Sequence, residues 1–372
     1  MRVYLLLLLV SAAVTYLMTP LARWLALRSG AITAVRDRDV HVVPIPRMGG
    51  VAMLLGMAVA LVVASQMPFL EPVFAGSSTV WAILGGAALV SLLGAADDIW
   101  ELDWVTKLTG QVLAVGLMAW KGEVQLYAVP IGDSLAIGSS GLSLVATILV
   151  VVVAINAVNF VDGLDGLAAG LIAIGGTGFF AYTYLLTQET SELDYSNLAS
   201  LVLAVLVGAC LGFLPHNFHP ARIFMGDSGS MVIGLTIAAA TIVVTGQVDE
   251  VDVTTRQQFP ALLPILLPVA VLMLPLLDMV LAVVRRVGTG KSPFHPDRRH
   301  LHHRLLQLGH SHRRAVLIMY LWTALFAFGG AALARWTTEQ VLWSMGVGFV
   351  VVLGLTLGPL RGRVRDRAAV ET

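Results

Sequence analysis

Long apolar runs recur along the whole of this chain. A run of about 20 mostly apolar residues is long enough to cross a bilayer as a helix. By that length rule roughly eleven stretches qualify, at 3–22, 49–67, 79–96, 106–120, 143–161, 164–187, 198–214, 229–246, 259–284, 314–334 and 338–359. The fourth is short, and only an Asn/Asp segment separates the fifth from the sixth. Charged residues make up 12% of the chain, about half the usual fraction of a soluble domain. The sequence therefore predicts an all-α integral membrane protein of about eleven transmembrane helices. The first run is expected to remain as a span, because its basic flank stops at Arg2 and no small-residue cleavage site follows it. The one cysteine, Cys210, lies inside a span. It excludes a disulfide framework and reads as a small core residue.

Zero net charge conceals a strong sidedness. With the N-terminus outside, the connections near 23–48, 97–105, 215–228 and 285–313 and the tail from 361 face the cytoplasm. Every Lys and Arg except Arg2, Lys121, Arg256 and Arg335 then falls inside or at the inner boundary. The outer loops carry Glu71, Glu189, Glu192, Asp194, Asp249, Glu250 and Asp252. That bias sets the orientation, and an odd number of spans leaves Arg361, Arg363, Arg365 and Arg367 inside. No repeat or low-complexity linker divides the chain. Residues 1–360 read as one polytopic domain and 361–372 as a basic cytoplasmic tail. The segment EVQLYAVPIGDSLAIG alternates weakly around Gly-Asp, which suggests a small outer β-hairpin.

The polar chemistry gathers on the inner side. All nine histidines fall there: His41, His216, His219, His295, His300, His302, His303, His310 and His312. So do Asp97, Asp98, Asp162, Asp165 and Asp227. Ionisable residues at membrane depth mark functional sites. A transporter would be expected to place its polar groups nearer the midplane, and a purely structural scaffold has no need of the clusters. Their crowding at one interface suits an enzyme that works at the inner membrane surface. Asp278, in PLLDMVLAVVRR, is the clear ionisable residue within a span, and it falls near the inner interface.

Four strings carry the chemistry. In NAVNFVDGLDGLAAG, residues Asn156, Asn159, Asp162 and Asp165 are three apart, so on a helix they form one slowly drifting stripe; a helix cap needs only one such residue. In FMGDSGS, Asp227 sits in a tight turn before a span, where it either caps the helix or binds a cation, and the turn's N–H groups can meet an anion. Asp97 and Asp98 end the third span about 100° apart on the helix, so they face different partners. They read as a charged stop or, since adjacent like charges repel without a cation, as part of a Mg²⁺ site shared with phosphates. Lys107 can neutralise the pair or hold a phosphate oxygen. In PFHPDRRHLHHRLLQLGH, His300, His302 and His303 stand among Arg298, Arg299 and Arg304. Zinc is chemically conceivable there, but the arginines suit phosphate oxygens better and also contribute to anionic-lipid contact. RDRDVHVVPIPRMGG brings Arg47 either to a substrate or to the entry of the second span.

Taken in order, PIPRMGG, AADDIWELDWVTKLTGQ, NAVNFVDGLDGLAAG, PHNFHPARIFMGDSGS and PDRRHLHHRLLQLG resemble the polyprenyl-phosphate N-acetylhexosamine-1-phosphate transferase family (glycosyltransferase 4, MraY–WecA-like). The resemblance covers nearly the whole chain. PDRRHLHHRL stands where the branch acting on phospho-MurNAc-pentapeptide carries an HHHFE-like string, so the resemblance is to the WecA-like, N-acetylglucosamine branch. It implies transfer of N-acetylglucosamine 1-phosphate from UDP-GlcNAc to a polyprenyl phosphate at a bacterial cytoplasmic membrane, initiating cell-envelope glycan synthesis. It also implies Mg²⁺, with Mn²⁺ as a substitute, a homodimer, contact with membrane lipids, and no nucleic-acid partner. By resemblance, Asp227 is the principal Mg²⁺ ligand, with Asp98 and Asp162 beside it. Asp97 and Asp98 match the aspartate pair near the metal or the lipid phosphate, and Lys107 matches the lysine on phosphate. Asn159 and Asp162 line the nucleotide and metal site, while Asp165 and Asn217 contact the uridine. His300, His302 and His303 match the histidine-rich loop that closes over the sugar phosphate, while Arg298, Arg299, Arg304 and Arg47 are read from the residues as substrate-binding.

Overall fold

The computed structural model describes residues 1–33, 44–75, 78–131, 134–137, 139–189, 195–245, 258–290 and 300–370. They form a helical bundle. The order is α1 (Arg2–Ser29), β1 (Ile32–Thr33), β2 (Ile45–Pro46), α2 (Gly49–Ala64), a 3₁₀ turn (Pro68–Leu70) and α3 (Glu71–Phe74). Then come α4 (Thr79–Trp100), α5 (Trp104–Gly122), β3 (Ala128–Ile131), β4 (Ser134–Ile137), α6 (Ser140–Val161), α7 (Leu167–Glu189), α8 (Tyr195–Asn217) and α9 (Gly226–Thr245). The chain continues through α10 (Gln258–Val271), α11 (Met273–Gly288), α12 (Leu301–Gln307), α13 (His312–Ala332) and α14 (Thr338–Val370). Strands β3 and β4 pair antiparallel with Val129 opposite Ala136, which bears out the small hairpin.

Eight of these helices are long and apolar enough to cross a membrane, and up to ten spans result if each bent pair counts as one. The protein is thus a multi-pass helical membrane protein, and eight to ten of the roughly eleven expected spans meet these criteria among the described residues. The run at 106–120 does form a helix, α5, but α5 is not among those that qualify. It is polar because it faces the interior chemistry, with Lys107 and a buried Gln111 turned inward. The long run at 259–284 is a pair, α10 and α11, bent by 72° at Leu272. Pro275 has no N–H to give to the carbonyl of Val271, so the helical ladder breaks there.

Helix α9 is the axis of the bundle. It is buried on every side against α2, α4, α6 and α8. In lipid, helices associate by close packing rather than by removing apolar surface from water. The sequence supplies the small residues that this requires. Gly208 and Gly212, one turn apart on α8, abut the backbone of Leu8 and Ala12 on α1, and Ser11 Oγ donates to the Val205 carbonyl at 2.8 Å. Large apolar side chains such as Leu92, Leu113, Leu142 and Val145 point outward, as a lipid-facing surface demands.

The same tightness fixes the start of α9. Gly94 of α4 lies so close that a Cβ there would sit 2.5 Å from Ser228 Cα. Gly50 of α2 abuts the Ser228–Gly229 backbone from another side. Overpacking of this kind costs about 1–3 kcal/mol. Gly94→Ala is therefore expected to lower the thermal midpoint in detergent and to cut activity by displacing Asp227. A variant with wild-type melting and turnover would show that the contact has room to spare.

Candidate active site

The site grows from the N-terminus of α9. The first amides of a helix have no intrahelical partner. Here the partner is a carboxylate from another helix: Asp98, at the end of α4, accepts from Asp227 N at 3.1 Å and Ser228 N at 3.3 Å. Gly226, at φ 70°, lets the chain turn against that carboxylate, which would clash with any Cβ at this position. The anion expected at these N–H groups is thus the protein's own Asp98. Asp97 points elsewhere, as its helical offset requires. It accepts from Leu102 N at 2.8 Å and from Lys107 Nζ at 2.9 Å.

Lys107 joins two helices. Its ammonium also lies 3.0 Å from Asp227 Oδ2. The other oxygen, Asp227 Oδ1, accepts from Asn159 Nδ2 at 2.9 Å, and Asn159 also reaches Ser230 Oγ at 3.0 Å. Four elements, α4, α5, α6 and α9, therefore converge on one carboxylate. The expected polar stripe breaks, however, because α6 ends at Val161. Asn156 and Asn159 stay on the helix, with Asn156 bonded to Gln111 at 2.8 Å. Asp162 and Asp165 lie in the turn beyond it.

That turn brings Asp162 to the cluster. Burial, then the charges of Asp227 and Asp98, raise its carboxyl to about 7, against the opposing pull of Arg47. Burial alone disfavours the ionised carboxyl, and the neighbouring carboxylates add to it. Asp98, Asp162 and Asp227 bring carboxylates from three segments, and the oxygens of Asp98 and Asp227 already accept from the α9 amides, Lys107 and Asn159. Arg47 acts on both Asp98 and Asp162. It leads into α2, whose first amides, Gly49 N and Gly50 N, donate to the Phe224 and Met225 carbonyls. The PRMGG string thus both starts the second helix and binds it to the FMGD string.

Asp165 and Asn217 form a second, buried layer. Asn217 Oδ1 accepts from Gly166 N at 3.0 Å while its Nδ2 donates to the Ile223 carbonyl at 3.0 Å. Asp165 Oδ2 accepts from Ala221 N at 3.0 Å and meets His219 Nδ1 at 2.8 Å. The His219 ring stacks on His312 at 4.4 Å. Ligating atoms of Asp165, His219 and His312 lie within 4.8 Å of one another, close enough to hold a cation, although Asp165 Oδ2 already accepts two donors. These residues lock the Asp162–Gly166 turn to the loop that leads into α9.

The histidine string lies over this floor. The His300 and His302 rings stack parallel, within 2° and 5.5 Å apart, and the His303 ring is 4.3 Å from that of His302. His302 is buried against Gly163, where a Cβ would come within 2.6 Å of the ring. Burial, reinforced by its histidine neighbours, holds His302 well below the ordinary imidazole range, so it is neutral near pH 7. Arg304 is exposed on α12, while Arg298 and Arg299 lie outside the described residues. One participant is missing from the sequence-derived site. Asp278 of α11 is buried and holds His300 Nδ1 at 3.1 Å and Leu301 N at 2.9 Å. Its position within an apolar run was the available signal, but spacing alone does not reveal its partners.

Residues 80–245 match the model of Glycosyl transferase family 4. Over 365 residues the chain is 45% identical to a decaprenyl-phosphate N-acetylglucosaminephosphotransferase of Mycolicibacterium smegmatis, covering 97% of this chain and 89% of that protein. It is 32% identical to a probable undecaprenyl-phosphate N-acetylglucosaminyl 1-phosphate transferase of Bacillus subtilis, over 92% of this chain and 88% of the other. A phospho-N-acetylmuramoyl-pentapeptide-transferase of Desulforudis audaxviator is 30% identical over 75% of this chain and 80% of its own length. The fold and site are those of a polytopic membrane transferase. The chain belongs to glycosyl transferase family 4, among its polyprenyl-phosphate N-acetylhexosamine-1-phosphate transferases.

Asn217 separates two roles. Asn217→Ala leaves the Gly166 N–H and the Ile223 C=O without their buried partner, which costs about 1–3 kcal/mol. The expected outcome is a lower thermal midpoint together with weaker donor use. A raised KM for donor with unchanged melting would instead mark Asn217 as a direct substrate contact.

Proposed function

We propose that this protein transfers N-acetylglucosamine 1-phosphate from UDP-GlcNAc to a polyprenyl phosphate, giving polyprenyl-diphospho-N-acetylglucosamine and UMP. The observation that carries the proposal is the 45% identity, over almost the full chain, to a decaprenyl-phosphate N-acetylglucosaminephosphotransferase. The convergence of Asp97, Asp98, Lys107, Asn159, Asp162 and Asp227 at one end of α9 supports it. We place this end at the cytoplasmic face of a bacterial inner membrane, with the N-terminus outside, as the charge asymmetry directs.

A phosphate oxygen of the lipid attacks the sugar-linked phosphorus of the donor. The bond from that phosphorus to the bridging oxygen breaks, and the bridging oxygen leaves with UMP. The acceptor is already anionic at neutral pH, so attack is direct and requires no strong base. Phosphoryl transfer of this kind depends on positioning and electrostatics. Lys107 and Arg47 bring positive charge to phosphate oxygens. Asp97 orients Lys107, and Asn159 orients Asp227. Asp98 fixes the α9 N-terminus that carries Asp227. Asp227, Asp98 and Asp162 would hold Mg²⁺, or Mn²⁺ in its place, which supplies charge stabilisation to the diphosphate when bound. The histidine string, with Arg298, Arg299 and Arg304, closes over the sugar phosphate.

The test uses purified protein, polyprenyl phosphate, Mg²⁺ and a panel of UDP-sugars that includes UDP-MurNAc-pentapeptide. UMP and the diphospholipid are expected from UDP-GlcNAc, and chelation of the divalent ion is expected to stop the reaction. Asp227→Asn should cut turnover by about a thousand-fold, the scale of a lost metal contact in the transition state, while the protein remains monodisperse. Turnover of UDP-MurNAc-pentapeptide alone would overturn the donor assignment. Near-normal turnover of Asp227→Asn would remove Asp227 from the metal role.

A further inference from the structure

A carboxylate in an apolar helix is costly unless something specific accepts it. Asp278 is 2% exposed. Its two oxygens serve consecutive residues of a distant segment: Oδ2 meets His300 Nδ1 at 3.1 Å, and Oδ1 accepts Leu301 N at 2.9 Å. A backbone anchor alone would use one oxygen. The second fixes the state of the imidazole. A carboxylate only accepts, so Nδ1 must carry the proton and donate it, and Nε2 becomes the ring's remaining hydrogen-bonding atom.

The surroundings fix the ring's plane as well. Phe160 meets His300 edge-on, with centroids 5.8 Å apart at 70°. On the other side the ring runs parallel to His302. Phe160 is two residues before Asp162, and Arg286, one helix face along from Asp278, places its guanidinium over the same Phe160 ring at 5.2 Å. The imidazole is thus wedged in one orientation and one protonation pattern beside the carboxylate floor.

We propose that Asp278 is a positioning residue for the transfer reaction, holding the His300 imidazole with Nδ1–H on its carboxylate so that Nε2 serves the sugar-phosphate group of the donor. The proposal rests on the donor assignment above. Asp278 touches no substrate and acts through His300. Asp278→Asn separates orientation from anchoring. The amide oxygen still accepts Leu301 N–H, but its NH₂ now donates to His300 Nδ1 and forces the opposite tautomer.

The experiment is a double-mutant cycle on the full-length protein, with UMP release read at varied UDP-GlcNAc and varied polyprenyl phosphate. Removal of a partner that orients a functional imidazole typically costs about ten- to a hundred-fold. Asp278→Asn and His300→Ala are each expected to lower kcat/KM for UDP-GlcNAc by about that factor. KM for polyprenyl phosphate should stay within about twofold, and the double variant should be no worse than His300→Ala alone. Losses that multiply in the double variant, or wild-type kcat/KM in Asp278→Asn, would overturn the assignment. Should Asp278→Asn fail to fold, Asp278→Ser takes its place in the cycle, with the same outcomes decisive. Wild-type protein is the internal reference: UMP release by the wild type with multiplying losses sinks Asp278 alone, whereas no release from UDP-GlcNAc sinks the donor assignment and this inference with it.

Discussion

The bond between Asp98 and the first amides of α9 is the constraint on which the rest of the structure turns. It satisfies N–H groups that would otherwise be orphaned inside a membrane bundle. It fastens α4 to α9, and it sets Asp227 one residue into the helix. Everything placed against Asp227, from Lys107 to Asn159, inherits its position from that bond. The glycines at 50, 94 and 226 are its geometric conditions, since each lies where a larger residue would push the helix start away.

The electrostatics follow from the same arrangement. Four acidic groups gather around Lys107 and Arg47, and negative charge exceeds positive. Burial, reinforced by the Asp227 and Asp98 charges, raises the Asp162 carboxyl to about 7. Such a centre is poor at receiving phosphates on its own, because like charges would be driven together at a low-dielectric boundary. A divalent cation of the kind proposed above would offset that charge.

Much of this was legible in the sequence. The apolar runs announced the helices, and the spacing of Asp97, Asp98, Asp162 and Asp227 announced a site on one face. What spacing does not encode is the partner across the bundle. Asp98 follows Asp97 by one residue, yet one caps a helix and the other pairs with a lysine. Asp165 continues the three-residue rhythm of Asn156 and Asn159, yet the helix stops at Val161 and Asp165 braces the His219–Ala221 loop. Asp278 stood out in an apolar run, but its tie to His300 spans 22 residues, beyond the reach of any local pattern.

The break at Leu272 has its own consequence. The carboxylates sit on α4, on α9 and in the turn after α6, at the centre of the fold. The histidines hang from α11, which departs from its predecessor at 72°. The carboxylate cluster and the histidine group are therefore mounted on separate pieces of scaffold. A change confined to α11 and α12 can therefore shift the imidazoles while the Asp98–α9 contact stays as it is.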